Sequence, residues 1–573
     1  MKFSPKSLPV VLRKKENVTT GTFYFREDGL KNIPYVKLAD YYRFLLGGKE
    51  LRYETLSEGV YKVTSAAGGV AKIDTKANTL SSDDLEYFID TTIFRQDGVA
   101  NTYYDGAPFV RVKNTVYEGE AQARTIAFGS TYGIDLFSLE NDVLLPLVTC
   151  SNLFQGPTML TCMYTPKTVY FIDPNDVDFD TSKVTEEESY RKEVLGFYEN
   201  GKRSQEQANF NYDEIRFFVD TFYGTPGREA LHDSLLRYGN LDEALENHDE
   251  FSKKAKGYLK STDQVEYVAG LTMLANLLAD TGHTVFDMGL GAWYAGMPDL
   301  LGKVESLFES IGYDGTKVAA TRPGMTRVYT GPLQEAYVEA KWKEQVTTVK
   351  GDTMVYSFRK FFFDDKQWKD YYAGKRDELP DDEVGRLKKA LEEHKDKGVK
   401  NVLIDVSCNG GGFGDVVIAI MALMGKDPYL HYYDCVDKIP MTTHYEVDTN
   451  FDGKFDEKDK RFDYDYRFGL VVSGYSFSCA NLLPVQAKES GVLLVGDKTG
   501  GGACAVLDGF SSEGLYTRMS SQIRLECKDH AAIDFGIEPH VNLVTKTEGS
   551  YDFSKMYDLD VLSAEMNKFY DAK

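Results

Sequence analysis

The 573-residue sequence predicts an α/β protein that begins with a β-rich region. Short apolar and aromatic runs separated by turn residues recur through 1–185, and helical spacing of apolar residues dominates 186–282. From 351 to 546, strand and helix patterns alternate, which is typical of a sheet covered by helices. We therefore predict four parts: a β-rich accessory domain at 1–185, a helical segment at 186–350, an α/β core at 351–546 and a tail helix at 547–573.

The first part is predicted as β-rich because its apolar runs are short and rich in Val, Tyr and Phe. One helix is predicted after Pro34-Tyr35-Val36, over 37–46. We find no chemical motif in this part, so it is interpreted as an accessory or binding module. The clearest predicted strands are 22–25, 59–63, 108–112 and 168–171.

The second part carries helix-forming residues at helical periodicity. Its last well-marked helix, 265–278, leads directly to His283. The other predicted helices are 212–223, 228–238, 241–248 and 298–311.

The third part alternates between the two element types, as in a βαβ fold. The apolar runs are short and bounded by Gly, Asp or Ser, and the intervening segments have helical spacing. The predicted strands are 354–358, 399–406, 468–473 and 492–495, and the predicted helices are 380–397, 414–424 and 482–490.

Charge and composition limit the partners. The chain has 66 Lys and Arg against 89 Asp and Glu, a net charge of −23, which would repel nucleic acid and anionic membrane. No apolar run of about 20 residues predicts a membrane span. Residues 1–20 lack the apolar stretch of a signal peptide, which fits a mature form and a cytoplasmic protein equally. The seven cysteines contain no CxxC pair and no metal-like spacing.

The most informative segment is 474–481, Gly-Tyr-Ser-Phe-Ser-Cys-Ala-Asn. It joins a predicted strand to a predicted helix, and a serine on such a turn can present its hydroxyl as a nucleophile beside the helix N-terminus. The same serine pattern also fits a simple helix N-cap.

Two further segments could complete a site. Asp405 to Gly412 ends in three glycines, whose N–H groups could stabilise an oxyanion, although a flexible connection has the same composition. His283 follows Thr281-Gly282 past a helix end. It could accept a serine proton, or it could cap the helix.

In order, these segments together with 496–502 and 536–540 resemble the carboxyl-terminal-processing, or tail-specific, serine peptidase family. Ser476 to Asn481 resembles the family's Ser-x-Ser-x-x-Glu elbow, which aligns Ser478 with the nucleophile. The resemblance implies a ClpP/crotonase-like core, a peptide or protein substrate, and a bacterial, extracytoplasmic enzyme.

The chain departs from the family at three positions. Gly502 stands where the Ser-Lys branch has its catalytic lysine, Asn481 replaces the elbow glutamate, and His540 replaces the closing aspartate. No PDZ-like stretch lies between 283 and 354. The chain therefore resembles the tricorn-like and nisin-resistance-like branch, which implies Ser478 as nucleophile and His283 as general base.

A Ser-His pair usually needs a third group that orients the imidazole. Asp280 and Asp534 are candidates, and Glu538 is a weaker one. The oxyanion hole is expected to combine the N–H of Cys479 with that of Gly410 or Gly411. Cys479 itself is interpreted as a packed residue.

The segment 448–459 predicts a Ca²⁺ loop. Its Asp-x-Asn-x-Asp-Gly pattern places oxygens at loop positions 1, 3 and 5 and glycine at position 6. A solvated acidic hairpin is the alternative. The expected role is structural, and the predicted ligands are Asp448, Asn450, Asp452, Lys454, Asp456 and Asp459.

Two other functions remain open from the sequence. A peptide- or ligand-binding protein without catalysis could use the same scaffold, because fold does not fix function. Alternatively, the β-rich part could carry the main role as a glycan- or wall-binding unit. The oligomeric state and any disulfide are not predicted.

Overall fold

The fold is described here from a computed structural model of the chain. The description covers residues 2–12, 17–89, 106–154, 160–172, 202–280, 282–284, 298–313, 323–340, 347–512 and 516–572.

The first part of the chain is β-rich, as predicted. A seven-stranded sheet has its longest pair at its centre, with Phe3–Leu12 antiparallel to Val18–Arg26. A separate five-stranded antiparallel meander packs nearby. The first sheet has the order Phe137–Leu139, Asp142–Pro146, Pro34–Lys37, Val18–Arg26, Phe3–Leu12, Val169–Ile172, Thr161–Tyr164. The second sheet has the order Arg52–Ser57, Val60–Thr64, Val70–Asp74, Thr79–Ser82, Arg124–Ala127.

In the described residues of this part, four short helices accompany the sheets. The predicted helix at 37–46 is confirmed as Leu38–Leu45, whose buried face includes Tyr41 and Tyr42. The remaining three are Leu85–Ile89, Phe128–Tyr132 and Leu147–Leu153.

The second part is helical where it is described. The longest helix, Gln205–Phe222, begins where the Ser204 hydroxyl accepts the Gln207 N–H. Glu250–Leu259 is a helix that the sequence reading missed. The others are His232–Tyr238, Leu241–Asn247, Gln264–Leu277, Pro298–Ser310 and Arg327–Glu339. Residues 186–201, 281, 285–297, 314–322 and 341–346 of this predicted part lie outside the described residues.

The third part contains the predicted α/β core. Its central sheet has the order Thr347–Lys350, Thr353–Ser357, Asn401–Asp405, Arg467–Val472, Leu493–Gly496, Val541–Asn542, and it is parallel except for the first strand. Asn401–Asp405 is buried at every position, as expected for an inner strand of a covered parallel sheet. The helices of this part are Asp365–Tyr372, Glu383–His394, Gly414–Leu423 and Cys479–Glu489.

A second sheet of this part crosses the predicted boundary at residue 185. Val110–Tyr117 was predicted within the accessory domain, but it pairs antiparallel with Ile439–Val447 from Val110↔Val447 to Tyr117↔Met441, with a shift in register between His444 and Tyr445. We call this the flanking sheet. Its order is Cys504–Phe510, Tyr516–Leu525, Tyr429–Asp434, Ile439–Val447, Val110–Tyr117.

The apolar core also extends across the predicted boundary at residue 185. One buried cluster joins the first sheets, the helices that follow them, and the flanking-sheet residues Leu507, Phe510 and Met519. The first 185 residues therefore share both a sheet and a core with the rest of the chain.

The C-terminal segment differs from the predicted 547–573 helix. Thr545–Thr547 and Ser550–Asp552 form a hairpin first, with Gly549 in its turn at φ +79°. The helix begins only at Leu559 and ends at Asp571, with the Asp558 carboxylate accepting the Asp560 N–H. Among the described residues, no helix has the length and apolar character needed to cross a bilayer.

Candidate active site

Three loops meet at one edge of the central sheet. They follow the strands Asn401–Asp405, Arg467–Val472 and Leu493–Gly496, which are parallel neighbours. Because the carboxyl ends of parallel strands lie at the same edge, residues far apart in sequence converge there. The predicted glycine loop, serine elbow and 496–502 segment are these three loops.

The serine elbow is a sharp turn held by backbone bonds. Ser478 has φ +57° and ψ −122° and directly precedes the helix Cys479–Glu489. A positive φ is uncommon for a residue with a side chain and marks a strained position. The Ser478 N–H donates to the Gly501 carbonyl at 2.9 Å, and the Gly500 N–H donates to the Ser476 carbonyl at 2.7 Å. These bonds fix Ser478, which is partly exposed, at the turn.

The glycine loop packs directly on Ser478. A Cβ at Gly411 would lie 2.7 Å from the Ser478 Cβ, and Gly411 has φ +112°. The Phe477 N–H donates to the Asn409 carbonyl at 3.3 Å. Only glycine fits this close approach, so the composition of the loop has a packing cause.

The hydrogen bonds of the two loops indicate which backbone N–H groups are available to stabilise an oxyanion. The Gly411 N–H donates to the Asn409 side-chain oxygen at 2.8 Å, so it is already used. Within the described ranges, the N–H groups of Gly410 and Cys479 have no acceptor. Of the two predicted combinations, this geometry favours Cys479 with Gly410.

His283 lies beside the elbow. Its ring packs on the ring of Phe477, the residue before Ser478, with 4.8 Å between the ring centroids. A Cβ at Gly282 would lie 2.4 Å from the same Phe477 ring, so glycine allows the turn to approach this closely. His283 is buried, with 8% of its surface exposed. The structure thus brings His283 together with the residue that directly precedes Ser478 in the elbow. Thr281 of the predicted motif lies outside the described residues.

Asp280 holds the turn that carries His283. One carboxylate oxygen accepts the N–H groups of Gly282, His283 and Thr284 at 3.3, 3.0 and 2.9 Å. The other accepts the Thr284 hydroxyl at 2.8 Å and the hydroxyl of Ser520 in the flanking sheet. Asp280 therefore positions the histidine through its backbone.

Asp534 lies on the other side of the 496–502 segment. Its carboxylate accepts the Ala503 N–H at 2.9 Å and the Arg228 Nε–H at 3.1 Å. Burial raises the Asp534 pKa to about 6, against the lowering effects of these two donors. The weaker candidate, Glu538, pairs with Lys498 at 3.4 Å, and both side chains are largely exposed. The structure connects Asp534 to the glycine-rich 500–502 turn that binds the elbow.

The comparison with protein families decides the assignment. The profile of peptidase family S41 matches residues 375–543, which include the glycine loop, the elbow and the 496–502 segment. Residues 375–543 are a peptidase family S41 domain. The chain is accordingly a serine-type peptidase, a hydrolase of peptide bonds.

The other two comparisons add little beyond this. No curated protein matches the chain. A solved structure described as a peptidase from Parabacteroides merdae has 16% identity and a TM-score of 0.38, over 64% of this chain and 98% of that one. A lipoprotein from Streptococcus agalactiae has 11% identity and a TM-score of 0.33, over 60% and 97%. The photosystem II D1 C-terminal processing protease has 15% identity and a TM-score of 0.27, over 37% and 46%.

Cys479 of the peptidase is a packed thiol. It is buried, its Sγ–H donates to the Gly412 carbonyl at 3.0 Å, and burial raises its pKa to about 12. A thiol with this pKa is not a nucleophile at neutral pH.

Sequence reasoning missed two residues that build the elbow. The Tyr329 hydroxyl accepts the Gly474 N–H at 2.7 Å and donates to Asp497 at 2.8 Å. No local pattern marks Tyr329, because it comes from a separate helix. Asn409 was visible inside the glycine motif, and its amide also donates to the Phe358 carbonyl at 3.1 Å.

The predicted calcium loop is an ordered turn. Asp448 accepts the N–H groups of Asp452 and Gly453 at 3.1 and 2.8 Å and the Tyr372 hydroxyl at 2.9 Å. Asp459 accepts those of Thr449 and Asp456. Within the described ranges, one group of three or more potential ligands has its ligand atoms within 4.8 Å of one another, and it lies elsewhere. The loop carboxylates would therefore have to move inward to hold an ion.

Proposed function

We propose that this peptidase cleaves peptide bonds through an acyl-enzyme on Ser478, with His283 as general base. The observation that carries the proposal is the strained Ser478 elbow, with the His283 ring packed against its neighbour Phe477. The partly exposed Ser478 can contact a substrate, while the buried His283 is shielded from water on most of its surface.

The surroundings of Gly502 argue against a lysine base. Gly502 stands at the position where the Ser-Lys branch of the family that this sequence resembles has its catalytic lysine. Its φ is +88°. A Cβ there would lie 2.7 Å from the Phe477 ring, so this backbone leaves no room for a longer side chain. Lys498 lies at the surface, where it pairs with Glu538.

The proposed steps follow from these positions. As the Ser478 Oγ attacks the peptide carbonyl carbon, its proton passes to the His283 imidazole, and the carbonyl oxygen becomes an oxyanion. The N–H groups of Cys479 and Gly410 stabilise that charge. His283 then protonates the leaving amine as the C–N bond breaks. Water, deprotonated by His283, hydrolyses the ester and restores Ser478.

The substrate is proposed to be a peptide or an unfolded chain terminus, and the enzyme to act outside the cytoplasm. Both follow from the resemblance to tail-specific peptidases. A calcium loop fits the extracytoplasmic location, because weak calcium sites occur in extracellular modules.

Cleavage of unstructured peptides tests the proposal. Matched peptides with a free or an amidated C-terminus are incubated with the wild type and with Ser478→Ala, and the products are identified by mass spectrometry. We expect cleavage by the wild type alone, and faster cleavage of the free C-terminus. A folded, calcium-loaded wild type that binds these peptides without cleaving any of them would support the binding-protein alternative instead.

We also propose that the 448–459 loop binds Ca²⁺ in a structural role. Asp448 is fully buried, and burial together with the nearby Asp459 carboxylate raises its pKa, so a cation would relieve an unfavourable charge. Phe451 and Gly453 have φ of +57° and +81°, which lets the loop turn sharply around its oxygens.

Thermal unfolding with calcium or with a chelator tests this role. At free calcium a hundredfold above Kd, binding should stabilise the wild type by about 2.7 kcal/mol. Asp452→Ala should lose most of the rise in Tm, because it removes a ligand. Glu457→Gln, an exposed acid of the same segment that is off the ligand positions, is the matched control. Equal calcium effects on all three proteins would rule out the loop as the site.

A further inference from the structure

Two histidines and a glutamate meet beside the flanking sheet. His431 lies in the strand Tyr429–Asp434, Glu118 directly follows Val110–Tyr117, and His530 lies in the turn after Tyr516–Leu525. One ligand atom from each residue lies within 4.8 Å of the other two. We call these three residues the His-Glu cluster. No step of the proposed peptide hydrolysis uses it.

The two imidazoles face each other through nitrogen atoms. The His431 Nε2 and the His530 Nδ1 lie 3.3 Å apart. Two nitrogens bound at 2.0–2.1 Å to one tetrahedral Zn²⁺ are about 3.3 Å apart, so this pair already has the separation of two ligands. The opposite nitrogen of His530 lies 3.3 Å from the Glu118 carboxylate.

A contact with Thr442 leaves one nitrogen of His431 available as a metal ligand. Its Nδ1 lies 2.7 Å from the Thr442 hydroxyl, so donation from Nδ1–H leaves the Nε2 lone pair directed at His530. His431 is 2% exposed, so the surrounding residues hold its imidazole in place.

The rest of the cluster can close on an ion. His530 and Glu118 are 45% and 41% exposed, so rotation of these two side chains can bring the carboxylate in, and solvent gives an entry path. The Glu526 carboxylate lies 3.6 Å from the His530 Nδ1 and adds negative charge. His530 has φ +64° in its turn, which fixes where its side chain begins.

We propose that Glu118, His431 and His530 form a binding site for a divalent transition metal ion, with Zn²⁺ as the best-fitting case. Two imidazoles and one carboxylate are a common zinc donor set, with the fourth position left to water. The ion cross-links three chain segments. One of them continues from His530 to Asp534, whose carbonyl accepts the Gly502 N–H at 3.3 Å. The site would thus fasten the segment that supports the 500–502 turn.

Zinc titration of the full chain tests the site, with calcium present at saturation so that the acidic loop does not compete. We expect one equivalent of Zn²⁺ to bind in competition with a chromophoric chelator, and to raise Tm. His530→Asn retains a residue that tolerates positive φ, and Glu118→Gln retains the side-chain shape. Each should weaken zinc binding by about tenfold or more, as should the second-contact variant Thr442→Val.

His444→Asn is the matched control, because His444 is a half-buried histidine of the neighbouring strand outside the cluster. It should bind zinc like the wild type. Absence of binding by the folded wild type up to millimolar zinc would overturn the proposal. Equal zinc affinity of His530→Asn, Glu118→Gln and the wild type would overturn it too, since the ion would then be bound elsewhere.

Discussion

Ser478→Ala and His283→Ala are each expected to lower kcat for peptide hydrolysis by about 10⁴- to 10⁶-fold. The first removes the nucleophile, and the second removes the base that accepts its proton. Because the two act as a unit, the double variant should be no slower than the slower single variant. Steady-state kinetics on one peptide substrate measure all three.

The controls separate chemistry from folding. His444→Ala changes a histidine outside the site and should retain wild-type kcat, and the circular dichroism of all variants should be unchanged. If His283→Ala kept kcat within about threefold of the wild type, another group would be the base. If the fold-losses in kcat of the two single variants multiplied in the double variant, the two residues would act independently.

Gly411→Ala is expected to destabilise the protein by about 3 kcal/mol or more and to abolish activity. The added Cβ would lie 2.7 Å from the Ser478 Cβ and 2.9 Å from the Phe477 carbonyl oxygen, at φ +112°. Relief of this contact must move either the glycine loop or the elbow, and both hold the reacting groups. Chemical denaturation and peptide hydrolysis measure the two effects.

A glycine just after the same loop gives a matched control. A Cβ at Gly414 would have no atom within 4 Å, and Gly414 has no role in the proposed site. Gly414→Ala should therefore change stability and kcat little. Comparable losses in both variants would mean that the loop needs flexibility, not close approach to Ser478.

The serine elbow and glycine loop could be predicted because their signals are local. A buried strand followed by Asn-Gly-Gly-Gly, and a strand-serine-helix pattern, specify turns within a few residues. Their convergence then follows from the parallel order of the strands. The detail that the Gly411 N–H is used by Asn409 depends on side-chain placement, which composition does not give.

The domain boundary at 185 could not be judged from the sequence. Val110–Tyr117 reads as one more amphipathic strand, and its partner Ile439–Val447 lies more than 300 residues later. Strand pairing at that separation leaves no local trace. The tail was mistaken for one helix because the two strands at 545–552 are only three residues each, too short to show alternation.

The contribution of Tyr329 could not be predicted for the same reason, because its partners are distant in the sequence. Its hydroxyl binds Gly474 and Asp497, each well over a hundred residues away, so nothing around position 329 indicates a role at the elbow. The His-Glu cluster was also invisible, because its three residues come from three strands or turns without any ligand spacing in the sequence.

The central claim, an activated Ser478, is tested most directly by a fluorophosphonate probe. After labelling, tryptic peptide mapping by mass spectrometry locates the adduct in the wild type, in Ser478→Ala and in His283→Ala, each with and without calcium. We predict one adduct on Ser478 in the wild type and none in either variant. A folded, calcium-loaded wild type that stays unlabelled, or one that is labelled at another residue, would contradict the claim.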